Sequence, residues 1–209
     1  MTPRSRSVGR VSIVAIDGPT GVGKSTTTRR LAAAFGCPLL LDPVSVNPLL
    51  DDYYTGDATP AAALAVELAF LRSRAELIAA APVDQLTVTD FSVMRTAPFS
   101  EFLEAEQDRR TVLDEMRAWL ANGPRLDVLV LLRAEPAALL DRVRDRDRAS
   151  ETDLTVEHLV ELRTHFDSWH DEMREQADTV IEIDTAGWDP RVDRDLEALI
   201  HDIRSALAT

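Results

Sequence analysis

A parallel α/β fold, with a five-stranded sheet carrying helices on both faces, is what three features of this 209-residue sequence predict. Short β-branched runs alternate with longer helix-forming segments, the pattern of right-handed strand–helix–strand crossovers. The strand candidates are apolar almost throughout, as expected of strands covered on both sides. The first of them also runs directly into a glycine-rich loop that opens a helix-forming segment.

Taken in order, residues 11–16 are β-branched and apolar, too brief for a helix, and read as the first strand. The composition turns helical over 24–35, and Gly36 stands where a helix C-cap is expected. A second strand is predicted over 38–41, and Asn47-Pro48 marks a turn. Residues 60–81 form a long Ala- and Leu-rich helix with prolines at its borders. A strand over 86–89, a helix over 111–121 stopped by Asn122-Gly123-Pro124, and the most hydrophobic strand, 128–132, come next. Pro136 opens a helix through an arginine run, 155–171 is a further helix, 180–183 is the fifth strand, and an amphipathic helix closes the chain. No internal repeat or low-complexity linker interrupts this order, so one domain over 11–209 follows, with 1–10 a flexible N-terminal stretch.

Hydrophobic residues make up 45% of the chain and charged residues 28%, enough for a substantial core. The net charge of -13 argues against a general nucleic-acid binder, which would need basic residues to neutralise phosphates. No apolar run approaches the ~18 residues that cross a bilayer, and no secretory apolar segment follows the N-terminus, which points to the cytoplasm. A single cysteine, Cys37, fits a reducing compartment. The four histidines lack metal-ligand spacing, so no zinc is assigned, and Trp119, Trp169 and Trp188 read as core or interface residues.

The segment Gly18-Pro19-Thr20-Gly21-Val22-Gly23-Lys24-Ser25 fits the P-loop pattern completely, between a strand and a helix as that pattern requires. Its glycines let backbone N–H groups turn inward around phosphate oxygens, the following helix aims its positive end at them, and Lys24 adds a mobile charge. Thr26 extends the cradle, and Ser25 has the hydroxyl that would ligate Mg²⁺. A phosphate cradle does not by itself distinguish a kinase from a GTPase, a motor or a transporter. The chain lacks GTPase base-reading motifs and is too short for an ABC-type ATPase. Asp90, closing Thr87-Val88-Thr89, is read as the second magnesium contact beside Ser25.

From the first strand to the last helix the chain resembles the deoxynucleoside kinase family. The likeness is carried by Val14-Ala15-Ile16-Asp17-Gly18 with the P-loop, and by Leu41-Asp42-Pro43-Val44 followed by Asn47-Pro48 and Tyr53-Tyr54. It continues in Glu67-Leu68-Ala69-Phe70-Leu71 with Arg74, in Arg142 to Arg148 with Glu151, in His158-Leu159, Leu162 and Asp167-Ser168-Trp169, and in Val180 to Asp184. The resemblance implies a P-loop kinase fold with an arginine-rich lid at about 142–151, MgATP as phosphate donor, a deoxynucleoside as acceptor and a homodimer.

Carried over by position, the resemblance makes Asp42 the carboxylate that takes a proton from the sugar 5′-hydroxyl, a role the family usually gives to Glu. Asp90 and Ser25 would hold Mg²⁺. Lys24, Arg142, Arg146 and Arg148 would meet the phosphates and the charge of the transition state. Tyr54 and Asp167 would hold the deoxyribose 3′-hydroxyl, and Glu67, Phe70 and Arg74 would line the base pocket. Two departures stand out. Phe91 follows Asp90 where the family commonly has Arg, with Arg95 the nearest replacement. Glu67 replaces an amide, and an ionised Glu only accepts hydrogen bonds, which favours a base edge offering two donors, as guanine does. A nucleoside monophosphate kinase, with Arg74 and Arg95 facing an anionic acceptor, and a non-catalytic ATP-binding regulator are the competing readings.

Overall fold

The computed structural model describes residues 10–44, 59–146 and 155–208, without the side chains of Asp145 and Arg146. Five parallel strands form one sheet: β1 (Ser12–Asp17), β2 (Leu39–Leu40), β3 (Leu86–Thr89), β4 (Leu126–Arg133) and β5 (Ala177–Asp184), in the order β2-β3-β1-β4-β5. The helices among the described residues are α1 (Lys24–Phe35), α2 (Pro60–Ala79), α3 (Thr96–Ser100), α4 (Glu106–Leu120), α5 (Pro136–Arg146), α6 (Val156–Ser168), α7 (His170–Glu175) and α8 (Asp193–Leu207).

Side chains alternate across the sheet and fill both faces. Ile13, Ala15, Leu129 and Leu131 join Leu71 and Ile78 of α2, Met116 of α4 and Phe166 of α6 on one side. Val14, Ile16, Val128 and Val130 join Leu31 of α1, Leu139 of α5 and Ile203 of α8 on the other. Trp119 and Trp169 pack against the first layer and Trp188 against the second, as their reading as core residues required.

Local signals explain most boundaries. Gly36 takes the left-handed conformation, φ 62°, and its N–H bonds back to Ala32 and Ala33. Thr59 caps α2 by accepting from Ala62 N–H, with Pro60 at the first helical position, where it needs no partner. Three differences from the sequence reading have physical causes. α4 begins at Glu106, not residue 111, because its first turn is polar and acidic, favourable to a helix N-terminus but invisible to hydrophobic periodicity. The helix read over 155–171 breaks at Trp169, whose indole N–H reaches Glu101 Oε1 at 2.9 Å, and resumes as α7. The 3₁₀ turn Val93–Arg95 and the five-residue α3 are too short for periodicity to reveal.

Candidate functional site

The strand order reverses at β1: the crossover after it leads towards β2 on one side, while the chain leaving β3 crosses back to β4 on the other. Ligands of open α/β sheets bind beyond the carboxyl ends of the strands at such a switch point. Asp17 ends β1, Asp90 follows β3, and Asp42 lies two residues past β2, so three carboxylates collect there.

The loop after β1 turns tightly. Gly18 has φ 138°, and a Cβ on it would fall 2.3 Å from Leu132 O. Gly21 has φ 83° and lies against Leu139 O at a distance that also excludes a side chain. Gly23 caps α1 with no side-chain hydrogen bond to the first turn, which leaves that end of α1 to an anionic ligand. Lys24 Nζ folds back onto Gly18 O at 2.9 Å and Pro19 O at 2.8 Å. Burial, reinforced by the Arg95 guanidinium, lowers the Lys24 ammonium to about 7. A recess of about 820 Å³ opens over Gly21 to Thr26 and is closed by Arg29, Arg142 and the segment 185–192. Arg142 donates to Thr185 Oγ1 at 2.8 Å and Thr185 O at 3.0 Å, which fixes its guanidinium on the wall of that recess.

From this cradle a chain of hydrogen bonds leads to Asp42. Ser25 Oγ donates to Asp90 Oδ2 at 2.6 Å, and the Asp42 N–H donates to Asp90 Oδ1. Ser25 and Asp90 thus set hard oxygens side by side, a fit for a divalent cation that completes its shell with phosphate and water oxygens. Asp42 itself is clamped. Arg74 Nε and Nη2 donate to its Oδ1 and Oδ2 at 2.9 and 3.0 Å, and Arg95 Nε stands 3.3 Å from Oδ2 without the alignment of a hydrogen bond. Burial pushes the Asp42 carboxyl up, but the two guanidiniums outweigh it and hold the group below its ordinary value.

Glu67, Phe70 and Arg74 share one face of α2 through their three- and seven-residue spacings. Arg74 lies over the Phe70 ring, 4.9 Å from its centroid, and its Nη1 reaches Thr96 Oγ1 at 3.2 Å. Glu67 is 4% exposed, and burial pushes its carboxyl up to about 7 against the pull of Arg74. Burial thus bears on how Glu67 can read a base edge: the ionised form only accepts, and the protonated form also donates through one oxygen.

Asp17, Ser92, Arg95 and Thr96 carry connections that motif matching did not assign. Asp17 Oδ1 accepts from Gly18 N–H at 2.8 Å, and Oδ2 from Ser92 N–H at 2.9 Å and its hydroxyl at 2.6 Å. Arg95 Nη1 joins Asp17 Oδ1 at 3.1 Å to Gly18 O at 2.6 Å. One guanidinium therefore spans the start of the cradle and the Asp42 cluster. The signal for Asp17 was its place beside the first cradle glycine, but Ser92 and Thr96 had no signal of their own.

Some predicted residues lie elsewhere. Tyr54 and Arg148 fall outside the described residues, as does the Arg146 side chain. Asp167 is half-exposed, ion-paired to Arg163 at 3.7 Å, and lines a second recess of about 660 Å³ with Gly18, Pro19 and the ends of β4 and β5, away from Glu67 and Arg74. No helix of the described residues is long and apolar enough to cross a membrane.

Residues 14–206 match the family model for deoxynucleoside kinase. Deoxyguanosine kinase of Bacillus subtilis (strain 168) is 23% identical over 159 residues, covering 74% of this chain and 76% of that protein. Deoxyadenosine/deoxycytidine kinase of the same organism is 24% identical over 182 residues, covering 79% and 80%. Deoxyguanosine kinase of Lactobacillus johnsonii is 27% identical over 176 residues, covering 77% of each. Among solved structures, deoxyadenosine kinase from M. mycoides with bound dCTP superposes with a TM-score of 0.77 at 19% identity, covering 92% of this chain and 99% of that one. The same kinase with bound dATP gives 0.76 at 19% identity, covering 94% and 100%.

Proposed function

The chain belongs to the deoxynucleoside kinase family and is a phosphotransferase acting on a nucleoside hydroxyl with ATP as donor, and on that premise we propose how its own residues carry the reaction. The 5′-oxygen of the deoxynucleoside attacks the γ-phosphorus in line. The bond to the β–γ bridging oxygen breaks, ADP leaves with that electron pair, and the hydroxyl proton passes to Asp42. The observation that supports this reading is the short path from base to cradle: the Asp42 N–H and the Ser25 hydroxyl both donate to the Asp90 carboxylate, so a single residue links the backbone of the proposed base to the cradle.

Lys24 leaves the loop carbonyls for the phosphates, and Arg142 flanks them from the recess wall. Arg146 and Arg148 join from the lid. Magnesium, held by Ser25 and Asp90, would neutralise phosphate charge and orient the donor. Arg95, buried against Asp17 and Asp42, takes the place of the arginine that Phe91 displaces; Phe91 itself is fully buried. Glu67, Phe70 and Arg74 form the base pocket. Its acidic reader favours a purine edge with two donors when Glu67 is ionised. Tyr54 and Asp167 are retained for the sugar 3′-hydroxyl, Asp167 lining a recess that also reaches Gly18 and Pro19. A homodimer completes the reading.

The test is ADP release from MgATP with deoxynucleosides, ribonucleosides and deoxynucleoside monophosphates, run beside Asp42→Asn. Turnover with a deoxynucleoside, deoxyguanosine foremost, that the substitution abolishes is the expected result. Preference for a monophosphate would move the acceptor assignment, and preference for deoxyadenosine or thymidine would remove the role given to Glu67.

A further inference from the structure

We propose that Arg74 is a positioning residue that keeps Asp42 occupied until an acceptor arrives, and so suppresses hydrolysis of ATP by water. The inference rests on Asp42 being the base. Each carboxylate oxygen of Asp42 accepts from Arg74, Oδ1 from Nε and Oδ2 from Nη2, and Oδ2 also faces Arg95 at 3.3 Å. A bidentate guanidinium–carboxylate pair is the strongest form of this contact, and here both side chains are less than a tenth exposed. A water in the acceptor position therefore meets a carboxylate already engaged by donors.

The same geometry provides the release. Among the described residues, Arg74 is held on its other side by a neutral partner, Thr96 Oγ1 at 3.2 Å, and by the face of Phe70. Glu67, seven residues back on the same helix face and also buried, offers its guanidinium a second acidic group. A base bound among Glu67, Phe70 and Arg74 competes for those donors and draws Arg74 from Asp42, while Arg95 stays behind as the carboxylate's cation, anchored on Asp17 and Gly18 O. Water fills the acceptor position without touching this pocket and gains no such release.

The step that is suppressed is ordinary hydrolysis: water oxygen bonds to the γ-phosphorus, the β–γ bridging bond breaks, ADP leaves, and the water proton passes to Asp42.

The experiment measures ADP release from MgATP without any acceptor, and with deoxyguanosine, for the wild type, Arg74→Lys, Thr96→Val, Asp42→Asn, and Arg74→Lys combined with Asp42→Asn. Lysine keeps the charge but cannot grip both oxygens. We expect acceptor-free release to rise about 10-fold in Arg74→Lys, a part of the ~10²–10⁴ a positioned base can supply. Adding Asp42→Asn should return it to the wild-type level. Thr96→Val, which removes a buried tether and keeps the volume, should raise it in the same direction by less, and decides the matter if Arg74→Lys does not fold. Acceptor-free release at or below wild type in a folded Arg74→Lys, or in Thr96→Val when the other is unfolded, overturns the proposal. Acceptor-dependent turnover that survives Asp42→Asn instead overturns the assignment of the base.

Discussion

The phosphate cradle and the acceptor pocket meet at Asp90 but are built on opposite plans. The cradle is one continuous stretch, residues 18–26, whose working parts are backbone amides, loop carbonyls and a single lysine. The proposed acceptor pocket takes Asp42 from just past β2, Glu67, Phe70 and Arg74 from α2, and Arg95 and Thr96 from the turn after β3. Backbone geometry tolerates little change, because at Gly18 and Gly21 a Cβ has nowhere to go. Side chains brought together by the fold depend on packing instead: Phe91 is core, and the Arg95 guanidinium reaches back to Asp17. On the proposed reading, the donor side is fixed by backbone geometry and the acceptor side is set by side chains that the fold brings together.

That contrast can be broken on either side. The largest effect belongs to Lys24→Ala, which should lower kcat ~10²–10³-fold by removing the charge-bearing donor proposed for the transferred phosphate. Steady-state kinetics at saturating ATP measure it, and a loss confined to KM would contradict the role.

Next is Arg74→Ala. It leaves the buried Asp42 carboxylate without its bidentate partner, at a cost of about 3–5 kcal/mol in stability. By comparison Arg72→Ala, two residues away on the same helix, breaks the exposed bidentate pair with Glu115 and should cost under ~1 kcal/mol. Urea titration of the two variants separates a buried clamp from a surface ion pair, and equal losses would remove the distinction.

A smaller effect tests the buried acid of the pocket. Glu67 titrates near 7 in the folded protein and at 4.5 in the unfolded chain. Its contribution to stability is therefore fully present below pH 4.5 and lost as pH rises to about 7, a change of at most about 3 kcal/mol. Glu67→Gln should remove that decline, gaining stability relative to wild type between pH 5 and pH 8. Melting curves at the two pH values check it, and parallel pH dependence in both proteins would show that burial does not raise the Glu67 carboxyl above its ordinary value.

Much of the fold was legible in the sequence because its strands are short apolar runs punctuated by strong helix stops and caps. The first helix, its glycine cap and the third strand fall at the predicted positions. The start of α4 and the turn through α3 were not legible, since acidic first turns and five-residue helices leave no hydrophobic period. In the site, the cradle could be read outright, because its residues are neighbours in sequence and each type has one use there. Asp42, Glu67 and Arg74 were reached only by resemblance to a family, and their mutual contacts could not be, because a bidentate pair 32 residues apart depends on where α2 lies against β2. The link through Asp17 and Arg95 depends equally on β1 and β3 being adjacent.

The most direct test of the two-plan account is Asp42→Asn, with ATP affinity and turnover measured on the same protein. The substitution keeps the shape of the side chain and leaves the cradle intact. ATP should bind within about twofold of wild type, while turnover with the preferred deoxynucleoside falls ~10²–10⁴-fold, the share of a positioned proton acceptor. Turnover preserved alongside normal ATP binding would contradict the assignment of Asp42 and with it the division between a donor side and an acceptor side.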